Sequence, residues 1–157
     1  MSCKRLYHEY KEYLKDPNPY YSISPDESNF SIWNVLLFGS LGTIYEGYIF
    51  KCIFTFPDNY PLKPPEVKFI NSIQHPNIYK DGKICISILH EGVDIYQYEN
   101  INERWSPAQS VNTILISILS LLNEPNFDSA ANIDTALMWK NNFTEYKKLI
   151  FKEIYNS

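Results

Sequence analysis

Apolar positions recur with a helical step at the start of the chain. Leu6, Tyr10, Tyr13 and Leu14 share one face behind Ser2, a residue suited to cap a helix, and Pro17 and Pro19 forbid continuation. The pattern predicts a first helix over about 3 to 15. Between Tyr20 and Ile70 the apolar stretches are short. Ile32 to Phe38, Tyr48 to Phe56 and Glu66 to Ile70 are separated by breaks at Gly39 to Gly42 and Pro57 to Pro65, which predicts an antiparallel meander of about four strands. From Gln74 to Arg104 the periodicity largely disappears, and so long a connection in a compact domain marks function or disorder. Helical spacing returns at Val111, Ile114, Leu115, Ile118, Leu119 and Leu122. Ahead of it, Ser106-Pro107-Ala108-Gln109 reads as an N-cap, a first-turn proline and a capping-box glutamine, and Pro125 ends the helix. Two further helices are expected over about 133 to 140 and 143 to 155, the last with Phe143, Tyr146, Ile150 and Ile154 on one face.

Composition narrows the class. With 157 residues, 45% hydrophobic and 16% aromatic, the chain suffices for one core and is too short for two ordinary domains, so residues 1–157 are expected to form a single α+β domain. A net charge of −4 without any block of Lys or Arg argues against nucleic acid and against a polybasic membrane patch. Cys3, Cys52 and Cys85 form no C-x-x-C pair and leave one thiol over under any disulfide scheme, which supports neither a zinc site nor a secreted framework. The N-terminus lacks the apolar core of a signal peptide, and the most apolar run, Ile114 to Leu122, is too short to span a membrane. The expectation is a cytoplasmic protein with no metal and no bound cofactor.

The chemistry gathers where the periodicity fails. His75-Pro76-Asn77 places an amide on a rigid turn. Cys85 follows in Ile84-Cys85-Ile86, where an isolated cysteine would be a buried apolar thiol, but the polar turn Lys80-Asp81-Gly82-Lys83 lifts it toward solvent, as a nucleophile requires. No protease-type Cys/His dyad is evident, and thioester exchange needs none, because the entering thiol is about as good a leaving group as the one it displaces. Asn77 has two readings: an amide N–H placed where an oxyanion develops, or a brace for the backbone. His75 reads as structural, its ring bonding local backbone.

These residues, in this order with Trp105-Ser106-Pro107, resemble the active-site strip of ubiquitin-conjugating enzymes. The resemblance covers nearly the whole chain, since Tyr45-Glu46-Gly47, Phe56-Pro57-Asp58-Asn59-Tyr60-Pro61 and Pro64-Pro65 look like the family's other signposts. It implies the UBC fold: an N-terminal helix, a four-stranded antiparallel meander, a crossover helix and C-terminal helices. It further implies that Cys85 receives ubiquitin as a thioester from an activating enzyme, which alone uses ATP, and passes it to a lysine of a protein substrate or of ubiquitin under a RING-type ligase. The family's motif makes Asn77 the oxyanion or loop-bracing residue. Its acid or hydroxyl gate falls on Ser129, preceded by Asp128, and its ligase-contacting positions fall on Lys4, Arg5, Leu62, Pro107 and Ala108.

One departure narrows the group. The stretch from Cys85 to Trp105 is far longer than in most members, with an insertion at about 90 to 104 that holds Glu91, Asp94, Glu99 and Glu103 among Ile95, Tyr96 and Tyr98. Together with Cys-Ile-Ser-Ile-Leu-His at 85 to 90, it resembles the acidic loop of the members that build degradation-signal chains in endoplasmic-reticulum-associated degradation. That implies proteasomal degradation of the products and recruitment to the reticulum surface by a partner. Carboxylates beside the thiol, Glu91 and Asp94 foremost, would hold or tune an incoming lysine, unless the loop is merely a solvated acidic segment. Two competing functions are conjugation of a different ubiquitin-like modifier and a non-catalytic role that only binds ubiquitin or a ligase. Cys85 itself speaks against the second.

Overall fold

The computed structural model describes residues 2–71 and 73–156, with side chains over 4–71 and 73–155. The proposed Ser2 cap and the Cys3 thiol therefore lie outside the described side chains. The chain opens with α1 (Ser2–Lys15), runs through β1 (Tyr21–Pro25), β2 (Ile32–Phe38), β3 (Ile49–Thr55) and β4 (Glu66–Phe69), and ends with α2 (Val111–Asn123), α3 (Ile133–Asn141) and α4 (Phe143–Asn156). The strands form one antiparallel sheet in the order β1-β2-β3-β4, an α+β fold with the predicted meander.

Alternation decides which face of the sheet is buried. Trp33, Val35 and Leu37 of β2, Phe50, Cys52 and Phe54 of β3, and Val67 and Phe69 of β4 all turn inward. Cys52 is 1% exposed, and burial pushes its thiol up to about 12, so it is a core residue. β1 carries only Tyr21 and Ile23 as inward side chains among serines, which is why its limits were not visible in the apolar pattern. The helix α1 adds Leu6 to the core and packs Tyr10 and Tyr13 against it, with the Tyr10 and Trp33 rings 5.9 Å apart. Leu14 is 55% exposed, because a fourth apolar residue next to Tyr13 falls about 100° round the helix from it.

The start of α2 differs from expectation. Its cap is Ser110, whose Oγ accepts the Thr113 N–H at 3.2 Å while Thr113 Oγ1 accepts the Ser110 N–H at 2.8 Å, a capping box one turn later than predicted. Ser106 to Gln109 form a turn closed by the Gln109 N–H on the Ser106 carbonyl at 2.9 Å. The N–H groups that a helix begun at Ser106 would use are engaged elsewhere, Ser110 N–H on Thr113 Oγ1 and Val111 N–H on Glu9 Oε1 at 2.8 Å, while Arg5 holds the Pro107 and Gln109 carbonyls at 3.1 and 2.7 Å and Gln109 Nε2 reaches the Asn102 and Arg104 carbonyls. The C-terminal helices fall close to prediction, with Tyr146 and Ile150 of α4 fully buried.

Candidate active site

The strip around the thiol extends the sheet past β4. Phe69 donates its N–H to the Gly82 carbonyl at 2.8 Å, and Lys68 bridges antiparallel to Lys83. Residues 83–85 then pair with 77–79. The Tyr79 N–H meets the Lys83 carbonyl at 2.8 Å, the Cys85 N–H meets the Asn77 carbonyl at 2.8 Å, and Ile78 opposes Ile84. Gly82 closes the reversal at φ +97°, and a Cβ there would stand 2.1 Å from the Phe69 oxygen, so the turn requires glycine. On extended backbone side chains alternate: Ile78, Ile84 and Ile86 enter the core, while Tyr79, Lys83 and Cys85 face outward. A thiol between two isoleucines is thereby brought to a half-buried surface position.

Burial raises the Cys85 thiol above the ordinary range, a hydrogen bond from the Tyr79 hydroxyl pulls it down, and the Glu99 carboxylate adds to the rise. The resting side chain is thus a thiol, suited to accept an acyl group that arrives already activated. A groove of about 840 Å³ lies between α1, β1 and the start of α2, lined by Tyr13, Tyr21 and Asn112, and Cys85 takes no part in it.

His75 and Asn77 are both 0% exposed. His75 Nδ1 accepts the Asn77 N–H at 3.0 Å, which leaves Nε2 as the protonated nitrogen, donating to the Leu122 carbonyl of α2 at 3.1 Å. Burial depresses its pKa to about 4, so it stays neutral. The Asn77 amide donates to the Asn126 and Ser129 carbonyls at 2.8 and 3.0 Å, and its oxygen accepts the Asn126 N–H at 2.9 Å. Both amide hydrogens are engaged by backbone, the geometry of a brace. The Pro76 carbonyl accepts the N–H groups of Ala131 and Asn132 at 2.8 and 3.0 Å, so the segment 126–132 is bolted along the strip. Within it Asp128 and Ser129 are exposed, Ser129 meeting Asn77 through its carbonyl.

The insertion is tied at its base and in its middle. Trp105 donates its N–H to the His90 carbonyl at 3.0 Å, closing the two ends together. Glu99 bridges His90 Nδ1 at 2.6 Å and Arg104 Nε at 3.1 Å, and Arg104 also holds the Glu91 and Gly92 carbonyls. Asp94 is engaged by the Glu99 N–H at 2.9 Å, which leaves Glu91 and Glu103 with exposed carboxylates. Val93, Ile95, Tyr96, Tyr98 and Ile101 stand out in solvent, the two tyrosine rings stacked 5.4 Å apart. One residue of this site was missed in the sequence, Tyr79, because only strand pairing brings it across from the thiol; Glu99 was read among the acids of the loop, and its spacing did not separate it from them.

The ligase-contacting candidates fall at one end of the molecule. Leu62 is 70% exposed, Trp105 Nε1 ties its loop down through the Pro61 carbonyl at 3.0 Å, and Arg5 ties down the loop of Pro107 and Ala108. Lys4 is exposed on α1 beside them in sequence. Among the described residues no group of three or more His, Cys, Asp or Glu side chains gathers for a metal, and no helix is long and apolar enough to cross a membrane.

Comparison with known proteins gives a consistent result. The family profile described as "Ubiquitin-conjugating enzyme" matches residues 5–154. A "Ubiquitin-conjugating enzyme E2" of African swine fever virus (isolate Pig/Kenya/KEN-50/1950) is 44% identical over 98% of this chain, which spans only 65% of that viral protein. "Probable ubiquitin-conjugating enzyme E2 7" of Caenorhabditis elegans is 50% identical over 80% of the chain and 77% of its own length. "Ubiquitin-conjugating enzyme E2 G2" of Homo sapiens is 45% identical over 94% of the chain and 91% of its own length.

Proposed function

The chain belongs to the ubiquitin-conjugating enzyme family of transferases, and from that premise we propose that Cys85 carries ubiquitin as a thioester between an activating enzyme and an acceptor lysine. The observation that carries the assignment is the placement of this thiol: half-buried, on a strip held rigid by the Asn77 carbonyl, with its neighbours Ile84 and Ile86 locked in the core. ATP is consumed by the activating enzyme, and no cofactor takes part here. Charging is an exchange between thiols, so the neutral, committed His75 is not needed as a base.

Discharge calls for a fixed cleft. Asn77 serves it by fixing the segment 126–132 beside the thiol, and Ser129 and Asp128 form its rim. Glu91 and Asp94 belong to a loop whose shape depends on the Glu99 bridge; Glu91 offers its carboxylate to an approaching ammonium, while Asp94 holds the loop backbone. A RING-type ligase docks on Lys4, Arg5, Leu62, Pro107 and Ala108. The long acidic loop supports a role in building degradation signals for the proteasome, with a partner bringing the protein to the reticulum surface. The test is incubation with activating enzyme, ATP and ubiquitin: a thiol-sensitive adduct on Cys85 is expected. An adduct formed only with another ubiquitin-like modifier, or none, would overturn the assignment.

A further inference from the structure

The helix α4 buries Tyr146 and Ile150 and packs Ile154 against the core, while Glu153 turns inward to accept the Gln74 N–H. At about 100° per residue, this leaves Lys147, Phe151, Tyr155, Lys148, Lys152 and Glu145 on one outward arc of about 160°. All of them are exposed. Phe151 and Tyr155 occupy the middle of the arc, 61% and 72% exposed, their rings 4.3 Å apart in one aromatic block. Lys147 stands on one side of the rings, Lys148 and Lys152 on the other. Glu145 is the acid of the arc, at its margin and 3.6 Å from the Lys148 ammonium, and among the described residues Lys147 and Lys152 have no carboxylate within ion-pair distance. A chain of net charge −4 thus carries a local cationic face with an aromatic centre, assembled by the winding of the helix.

We propose that this face of α4 is a contact for the surface of a bilayer containing anionic phospholipid, the rings lying at headgroup level and the lysines pairing with the lipid anions around them. The charge is complementary, and rings flanked by cations fit a boundary that is apolar below and anionic above. A nucleic acid fits less well, because the two rings cover each other and so withdraw the open faces on which successive bases stack. Each lysine close to an anionic surface strengthens binding roughly fivefold, so three lysines and a ring pair give a weak, reversible contact. Such a contact adds to attachment through a membrane-bound partner, since the second of two linked attachments is intramolecular. It uses no residue of the strip or of the ligase end, and it holds or fails independently of the thioester role.

The experiment sediments the full chain with vesicles of phosphatidylcholine alone and of phosphatidylcholine mixed with phosphatidylserine. Binding to the mixed vesicles only is expected, falling as salt is raised. Replacing the lysines together, Lys147→Gln, Lys148→Gln and Lys152→Gln, should weaken it about a hundredfold. Phe151→Ser with Tyr155→Ser should weaken it severalfold at constant charge. Glu145→Gln should tighten it severalfold, a gain that a folding defect in the other variants cannot imitate. The proposal is overturned if the parent ignores the mixed vesicles, if the neutralised or the ring variant binds them as the parent does, or if Glu145→Gln binds no tighter. It is equally overturned if these lysines serve a duplex oligonucleotide, or a second copy of the chain, in preference to the mixed vesicles.

Discussion

The Asn77 carbonyl accepts the Cys85 backbone N–H at 2.8 Å, while the same residue's amide grips Asn126 and Ser129. One buried residue therefore couples the strand that carries the thiol, through its backbone, to the segment after α2, through its side chain. Asn77→Ala should leave the Asn126 and Ser129 carbonyls unpaired and lower stability by about 1–3 kcal/mol. Charging should persist at moderate temperature while discharge to free lysine slows. An unchanged denaturation midpoint would refute the bracing role.

Replacement separates Cys85 from the buried Cys52. Cys85→Ser should yield a thiol-resistant oxyester and Cys85→Ala no adduct at all, because only the atom at this position forms the bond. Cys52→Ala should charge normally and lose stability, the cost of a core cavity. A thiol-sensitive adduct retained by Cys85→Ala, seen on a non-reducing gel, would remove Cys85 from its role.

Buried His75 makes stability depend on pH. Its folded pKa of about 4 lies below the unfolded value near 6.5, so the unfolded chain binds the proton first and stability falls as pH drops through that window. The loss is about 2 kcal/mol between about pH 7 and about pH 5 and levels off below about pH 4. His75→Asn should flatten this part of the profile in urea titrations. Parallel profiles for the two proteins would show that His75 is not the group responsible.

Leu62 tests the ligase end. An exposed apolar tip contributes by filling a partner's pocket, so Leu62→Ala should leave charging intact and weaken binding of a cognate RING ligase by at least about 1 kcal/mol. Equal affinities in a titration would dismiss it.

The loop tests the acids. Glu99→Gln removes the charge shared by His90 and Arg104 and the one that raises the Cys85 thiol, so alkylation of Cys85 by iodoacetamide at neutral pH should speed up. Deleting Gly92 to Asn102 should reduce ubiquitin-chain formation more than discharge to free lysine, because a small amine needs no positioning surface. Equal losses in the two assays would make the loop a general support.

The elements with a strong apolar rhythm were legible in the chain: β2, β3 and α4 lie close to their predicted bounds, and so does the end of α2. β1 was not, because serines fill its outer face, and the start of α2 was misplaced because Glu9, about a hundred residues away, takes the Val111 N–H that a helix begun at Ser106 would have used. In the site, Cys85, Asn77 and His75 stood out by spacing, and the turn before Cys85 foretold its exposure. What spacing could not reveal was pairing. Tyr79 reaches the thiol only because Ile78 lies opposite Ile84, and Asn77 faces Asn126 across nearly fifty residues of intervening chain. Acids are alike in sequence, and only the fold distinguishes Glu99, bonded to the His90 ring and the Arg104 guanidinium, from Glu91, left open.

Pro76 receives two N–H groups from a segment that follows α2. Trimming this protein to a minimal fragment ending near Pro125 would keep every residue of the strip and all four strands, yet remove the clamps on Pro76 and Asn77. Such a fragment would present its thiol on an unsupported edge. The segment 126–132 is therefore part of what holds Pro76 and Asn77 in place, and any shortened version made for crystallisation or display has to retain the chain at least through Asn132.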